Sequence, residues 1–312
     1  MASELTLRNV RYLVTAVDRG SMAEAARTLH VSPSAVSQAV TAMEQLAGGP
    51  LLLRVPHRPL ALTSTGAAVI GDLRRMVAAA DDVVATMRSS VDEAVGPVRI
   101  GCFRTIAPTH VPPLAAAVAA AVPAVRLEVE ELPLDELQQA LLDGRIEFGL
   151  LYDLDIEPEI EIEVLVDNTP HILLPDDHPN ADDPSIPLAA LAAEPFVLLD
   201  VPPSRRYFES ILDRAGIDPP IAHVTGSLET LRSLVARGQG WSMLIQRPAI
   251  TVSYEGLPVR TVTIADRLDP MPVVTAWPRG TSLTRRAAAV LDVCRQLFAS
   301  DAADRPDARS TG

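Results

Sequence analysis

Two cysteines in 312 residues, Cys102 and Cys294, are too few and too far apart for a disulfide framework or a cysteine-built zinc site. Both read more simply as small buried apolar residues than as a redox pair. Lysine is absent. All 27 cationic side chains are arginine, which a GC-rich coding bias explains without any functional reading. The formal net charge of −13 excludes a protein that coats nucleic acid or anionic membrane over its whole surface. Long hydrophobic runs are missing too: the longest, Val111 to Val125, is too short to span a bilayer and holds Pro112, Pro113 and Pro123. No basic segment followed by an apolar stretch opens the chain. The expectation is therefore no signal peptide, no membrane partner and a soluble, cytoplasmic protein.

Catalytic machinery is equally thin. A hydrolase needs a nucleophile, a base and an oxyanion hole in register. Gly240-Trp241-Ser242-Met243-Leu244 opens like a nucleophile elbow but lacks its closing glycine. The six histidines, at 30, 57, 110, 171, 178 and 223, show no metal-ligand spacing, and the stretch Gly144 to Gly149 lacks both the Lys and the helix start of a phosphate loop. These absences predict a non-enzyme without cofactor or metal.

What is present is ample apolar material, 48% of residues with a mean hydropathy of +0.19, enough for two domains or more. Charge is unevenly placed. Residues 1–65 hold six arginines against four acids, a net of +2, so the remainder carries −15. Such an asymmetry suits a chain of which one end meets a polyanion.

That end has a distinct pattern. Val10, Leu13, Val14 and Val17 recur at i, i+3, i+4 and i+7, one apolar helix stripe that Gly20 closes. Ser21 and Glu24 have the spacing of a capping box, opening a second helix that buries Ala25, Ala26 and Leu29. Ser32 suits a helix cap and Pro33 a first helical position. The helix that follows turns Val36, Val40, Met43 and Leu46 inward and Ser34, Ser37, Gln38 and Thr41 outward, until Gly48-Gly49 stops it. Singly, each outward residue reads as ordinary solvated surface. As a set they form a short, uncharged row on the second helix of a tight pair. A helix-turn-helix presents that element to the major groove, where hydroxyl and amide groups bond base edges or phosphates. Leu51 to Thr63 then reads as a hairpin whose tip carries Arg54, His57 and Arg58, a cationic wing fit for phosphate or a narrow minor groove.

Gly20-Ser21, Ala25-Ala26, Leu29, Ser32, Val36-Ser37, Glu44, Gly48, Leu51, Arg54, Leu62-Thr63 and Gly66 together resemble the N-terminal domain of a LysR-type transcriptional regulator. Met43, Ala47 and Leu52 replace that family's usual Leu, Leu and Phe, all apolar exchanges. The resemblance implies double-stranded promoter DNA as partner, contacted by Ser32, Pro33, Ser34, Ser37, Gln38, Thr41, Arg54, His57 and Arg58. It also implies a small-molecule effector, a homodimer or homotetramer, and RNA polymerase as a further partner.

The expected organisation is a winged helix-turn-helix over 1–63, a linker helix over 64–93, an effector-binding α/β module over 94–300, and a disordered tail over 301–312. In the linker, Leu73, Met76 or Val77, Ala80, Val83 or Val84, Met87 and Val91 recur every three to four residues, the seam of a short coiled coil or of an amphipathic helix on its own domain. In the resembling family that helix dimerises.

Beyond it, strand-like and helical segments alternate, which predicts α/β units with largely parallel sheets. "LLDGRIEFGLL" and "SLVARGQGWSML" resemble the family's effector module, similar to a type 2 periplasmic binding protein. That implies subdomain I over about 97–165 and 270–300, and subdomain II over about 168–267. A solute-binding protein is the rival reading of this part alone; the winged N-terminal segment argues against it. Ligands of open α/β sheets sit beyond strand carboxyl ends, against helix N-termini. Two junctions qualify, Phe103 to Ile106 and Asp200 to Arg206. From them and their surroundings the candidate effector residues are Arg104, Thr105, Ile106, Tyr152, Asp200, Pro203, Ser204, Arg205, Ser227 and Trp241. Free N–H groups, hydroxyls and guanidinium groups suit a carboxylate or similar anion.

Overall fold

The computed structural model describes residues 5–55, 58–88 and 94–304. Three helices, α1 (Leu7–Asp18), α2 (Met22–Leu29) and α3 (Pro33–Ala47), build the head. Val10, Leu13 and Val14 meet Ala25 and Ala26 of α2 and Val36, Val40 and Met43 of α3 in one buried cluster. Burying each of the larger side chains contributes about 1.5–3 kcal/mol. The inward stripe ends at Met43, because Leu46 is 47% exposed one turn later.

Local chemistry sets the helix ends. Thr6 caps α1, and Ser32 caps α3 by accepting from the Ala35 amide at 3.2 Å, with Pro33 at the first turn. Only half of the expected capping box forms at α2. Ser21 accepts from the Glu24 amide at 3.4 Å, but its own N–H goes to Ala16 O and Glu24 pairs with Arg27. His30, at φ +54°, and Gly48, at φ +71°, end α2 and α3 in the left-handed region.

Strands β1 (Leu52–Leu53) and β2 (Ala61–Leu62) pair antiparallel as a wing. Its base is tied back to the α1–α2 turn by Leu60 N donating to Gly20 O at 2.8 Å. Helix α4 (Ser64–Arg88) then starts against the wing. A Cβ on its Gly66 would stand 2.2 Å from Leu51 O, so only glycine permits this approach. Ile70 and Leu73 of α4 complete the head core, whereas Met76, Val83, Val84 and Met87 remain exposed. Val91, the last residue of the predicted seam, lies outside the described residues.

The rest is a two-lobed α/β module. The first lobe runs through β3 (Gly96–Phe103), α5 (Ala107–Ala121), β4 (Val125–Leu132), α6 (Leu134–Leu142), β5 (Phe148–Tyr152) and β6 (Ile160–Asn168). The second contains β7 (His171–Pro175), β8 (Ser185–Ile186), β9 (Phe196–Leu199), α7 (Ser204–Ala215), β10 (Ile221–Thr225), α8 (Leu228–Ala236), β11 (Ser242–Leu244) and β12 (Val259–Ile264). Then β13 (Met271–Pro278) and α9 (Arg285–Asp304) return to the first lobe. Its sheet has the order β4-β3-β5-β13-β6, and the second lobe has β11-β7-β12-β8 with the pair β10-β9.

The sheets are less parallel than alternation predicts. β3, β4 and β5 are mutually parallel, as are β9 and β10, but β13 runs antiparallel to β5 and β6, and β7 antiparallel to β11 and β12. The antiparallel members are the strands next to the two passages between lobes, after Asn168 and before Met271. Helix α5 starts at Ala107, ahead of the Ala-rich stretch over 115–121. Pro112 and Pro113 lie inside it on an exposed side, where water can take the carbonyls they leave unbonded.

Candidate functional site

On α3 the inward face is filled by Val36, Ala39, Val40 and Met43. Packing therefore forces the opposite face outward, and Ser34, Ser37, Gln38 and Thr41 are all exposed at i, i+3, i+4 and i+7. Gln45 extends the same row by one turn and is also exposed; its spacing from Thr41 is the signal that identifies it. Ser32 and Ser34 share a hydrogen bond, Oγ to Oγ, of 2.9 Å at the N-terminal end. The row bears no charge over about three turns.

Beside it, Arg54 has a partner. Its Nη2 donates to Glu44 Oε2 at 2.8 Å, while Glu44 Oε1 accepts the Leu51 and Leu52 amides at 3.1 and 3.3 Å. Glu44 thus fastens the first wing strand to α3, and Arg54 balances its charge. Arg58 is exposed and, among the described residues, carries no ion pair. His57 lies outside the described residues.

Between the lobes of the module the structure has two adjoining spaces. The inner one, about 10 Å³, is lined by Thr105, Tyr152, Ser204 and Gln246 on its polar side and by Leu199, Phe208, Leu228, Leu244 and Ile245 on the other. Gln246 Nε2 donates to the Tyr152 hydroxyl at 3.0 Å, and its Oε1 receives His110 Nε2 at 3.0 Å. Burial pushes the Tyr152 hydroxyl well above its ordinary range, so it stays protonated and able to donate. The outer space, about 850 Å³, opens between Arg104, Gln138 and Asp155 of the first lobe and Val201, Pro203 and Arg206 of the second. Arg206 pairs with Asp155 across this mouth, and Arg104 forms no ion pair among the described residues. The outer wall also carries Asp135, Glu157 and Glu159.

These spaces gather some of the candidate effector residues and leave others apart. Thr105, Tyr152 and Ser204 line the inner space; Arg104 and Pro203 line the outer one. Arg205 turns away, donating to Asp200 at 3.2 Å and Glu209 at 2.8 Å, so Arg205 and Asp200 hold each other on the surface. Ile106 is core, fully buried at the start of α5. Ser227 is exposed and caps α8 by accepting from the Thr230 amide. Trp241 is buried against Phe196, ring centroids 4.7 Å apart, as a packing residue.

Set beside known proteins, the chain matches the bacterial regulatory helix-turn-helix proteins of the lysR family over residues 7–67, and the LysR substrate binding domain over residues 92–299. It is a LysR-type transcriptional regulator. The uncharacterized HTH-type transcriptional regulator YnfL of Escherichia coli K12 is 30% identical over 280 residues, spanning 88% of this chain and 93% of YnfL. Among solved structures, HinK, a LysR family transcriptional regulator from Pseudomonas aeruginosa, is 34% identical with a TM-score of 0.64, covering 95% of this chain and 99% of HinK. The fold is also shared with CbnR solved with its target DNA, at 23% identity and a TM-score of 0.54, covering 94% of this chain and all of CbnR. The regulator is thus a DNA-binding protein with an effector-binding module and not an enzyme. Among its described residues no helix is long and apolar enough to cross a membrane.

Gln246 is the cleft residue that sequence reasoning passes over. Its signal is a lone amide directly after the apolar strand "SMLI", at the end of the strand where ligands of such sheets gather.

Proposed function

We propose that the regulator acts in the cytoplasm as a dimer or tetramer on a partly palindromic promoter site, and that it changes posture when a small anionic molecule occupies the cleft between its lobes. The reading rests chiefly on one observation: a rigidly mounted helix exposes an uncharged row of hydroxyl and amide groups. Ser34, Ser37, Gln38 and Thr41 read base edges, Ser32 and Pro33 set the helix start against the backbone, and Arg58, with His57 and Arg54, meets phosphate or the minor groove. The exposed apolar side of α4, Val83, Val84 and Met87, supports pairing of two chains, which would seat two heads on half-sites about 34–36 Å apart. CbnR has been solved with its target DNA, and the shared fold lends the same mode to this chain.

For the effector, Arg104 supplies an uncommitted guanidinium at the mouth, next to the start of α7 at Pro203 and Ser204. The acids opposite confine a carboxylate or similar anion to that side. RNA polymerase is the downstream partner of a DNA-bound regulator. Genome-wide footprinting with the purified chain tests the DNA half: bound fragments should share two related half-sites about one helical turn apart. Fragments with no common dyad, or none retained at low salt, would end the proposal.

A further inference from the structure

Gln246 is 5% exposed and belongs to the second lobe, yet every hydrogen bond its amide makes in the structure crosses to the first. It donates to Tyr152 of β5, and it accepts from His110 at 3.0 Å and from Thr109 at 3.3 Å, both on α5. His110 is itself fixed by stacking on Phe298 of α9, centroids 4.6 Å apart. One buried amide therefore pins the lobes together at the cleft floor. The floor beside it is not satisfied. Thr105, 6% exposed, lies beside the Tyr152 hydroxyl, and its Oγ1 has no well-formed hydrogen bond among the described residues. Tyr152 accepts from Gln246, so its own proton is also left to be placed. Two hydroxyl groups thus line a space of about 10 Å³ that holds one water at most, and between them they can take up no more than one of their two protons.

We infer that a neutral hydrogen-bond acceptor of the effector, a carbonyl oxygen on an apolar body, takes the place of the Gln246 amide at this floor, and that displacing the amide unbolts the two lobes. The inference deepens the effector reading given above and rests on it. Three facts select the chemistry. At least one hydroxyl proton of the Thr105–Tyr152 pair is left without an acceptor, and a buried donor left unpaired is costly. Among the described residues no arginine lines the inner space, so a carboxylate buried there would lack a counter-charge. Leu199, Phe208 and Leu244 offer apolar contact to the remainder. The cavity is too small for any such ligand while Gln246 stays in place, so occupancy and opening are one event. The effector then favours the unbolted posture by its differential affinity for it. An anionic group on the same molecule stays outside, at Arg104.

The test uses three probes on the full-length chain: 4-acetylbenzoate, which carries both groups, benzoate, which has only the carboxylate, and acetophenone, which has only the acetyl. In titration calorimetry the acetyl-bearing probes should bind wild type at least about tenfold more tightly than benzoate, since a site built for a hydrogen bond rejects the analogue lacking it. Thr105→Val should abolish that advantage and leave benzoate unchanged. Gln246→Ala should tighten acetyl-bearing probes by about tenfold, because no bolt must first be displaced. Independently of any probe, Gln246→Ala should speed hydrogen exchange of the amides of residues 103–110 by about tenfold.

An acetyl group that adds no affinity, probes that bind none of the three proteins, or exchange unaltered in Gln246→Ala would each overturn the inference. Equal binding of acetophenone and 4-acetylbenzoate would instead sink the anion reading and leave the Gln246 inference standing.

Discussion

At the residue scale, the two kinds of DNA contact proposed for this regulator separate by their partners. Gln38 is exposed on a packed helix and its amide has no partner among the described residues, so Gln38→Ala should cost roughly 1–3 kcal/mol on the selected promoter site and almost nothing on random duplex. Arg58 has no intramolecular ion pair among the described residues. Arg58→Ala should therefore weaken both DNAs alike and lower the slope of log K against log salt by about one. Fluorescence anisotropy on the two duplexes over a salt series checks both, and equal loss for Gln38→Ala would reduce α3 to a phosphate-binding helix. Away from the DNA face, His171 is buried on β7, and burial, with Arg247 and Arg232 nearby, lowers its pKa to about 3. A base whose folded pKa lies below its unfolded value of about 6.5 contributes stability above that value. The contribution is lost progressively as pH falls from about 6.5 toward 3, because only the unfolded chain takes up the proton. His171→Leu should thus flatten the fall in urea-unfolding free energy between about pH 7 and pH 5. An identical slope in the variant would show that other groups carry the acid sensitivity.

At the element scale, α4 has two stretches with different surroundings. Ile70 and Leu73 belong to the head core, whereas one to four turns further on Met76, Val83, Val84 and Met87 face solvent, Met87 at 79% exposure. An apolar stripe of this kind favours a partner surface. Charging it with Val83→Asp and Met87→Glu together should shift full-length chains toward monomer in analytical ultracentrifugation, raising the dissociation constant at least about tenfold. Binding to a single half-site should be retained. A variant that stays dimeric would move the main interface elsewhere. The helix itself and its exposed apolar residues after Met76 were legible from spacing alone, as were the three head helices and the uncharged row of α3, since a 3.6-residue period is a local property; Leu73, counted in the same seam, belongs to the head core instead. The sheets were not. Ile160–Asn168 and Val259–Ile264 are strands whose partners lie far along the chain, and no local pattern states that β13 inserts antiparallel between β5 and β6. The cleft suffers most from this: Gln246 meets Tyr152 across 94 positions and His110 across 136. Conversely, Arg205 and Trp241 stand at plausible places in the sequence but are claimed by Glu209 and by Phe196.

At the scale of the whole molecule, α4 also joins the head to the effector module. Arg74 donates to Asp18 of α1 at 2.6 Å and to the Asp143 carbonyl at the end of α6 at 2.8 Å, so one guanidinium touches both ends of the regulator. Approach there is close: a Cβ on Gly71 would lie 2.3 Å from Leu142 O. About two turns past Arg74, Asp82 accepts the Arg285 amide at 3.0 Å and stands 3.7 Å from Arg286, whose Nε is 3.7 Å from Glu147. Arg286 is 7% exposed, and Glu147 also meets the Thr284 hydroxyl. Despite these partners, burial raises the Glu147 pKa above its ordinary value. Desolvation therefore outweighs the pairing, as it often does for buried charges. A carboxyl whose folded pKa is raised contributes most below its unfolded pKa of about 4.5 and loses that contribution as pH rises through the folded value. At neutral pH the ionised form is consequently a burden on the joint. Glu147→Gln keeps the size and the acceptor for Thr284 while removing the charge. The full-length variant should melt at a higher temperature than wild type at about pH 7.5, with the difference shrinking as pH falls toward 4.5. A lower melting temperature at pH 7.5 would mean that the Arg286 pairing outweighs desolvation and that the joint is held by charge.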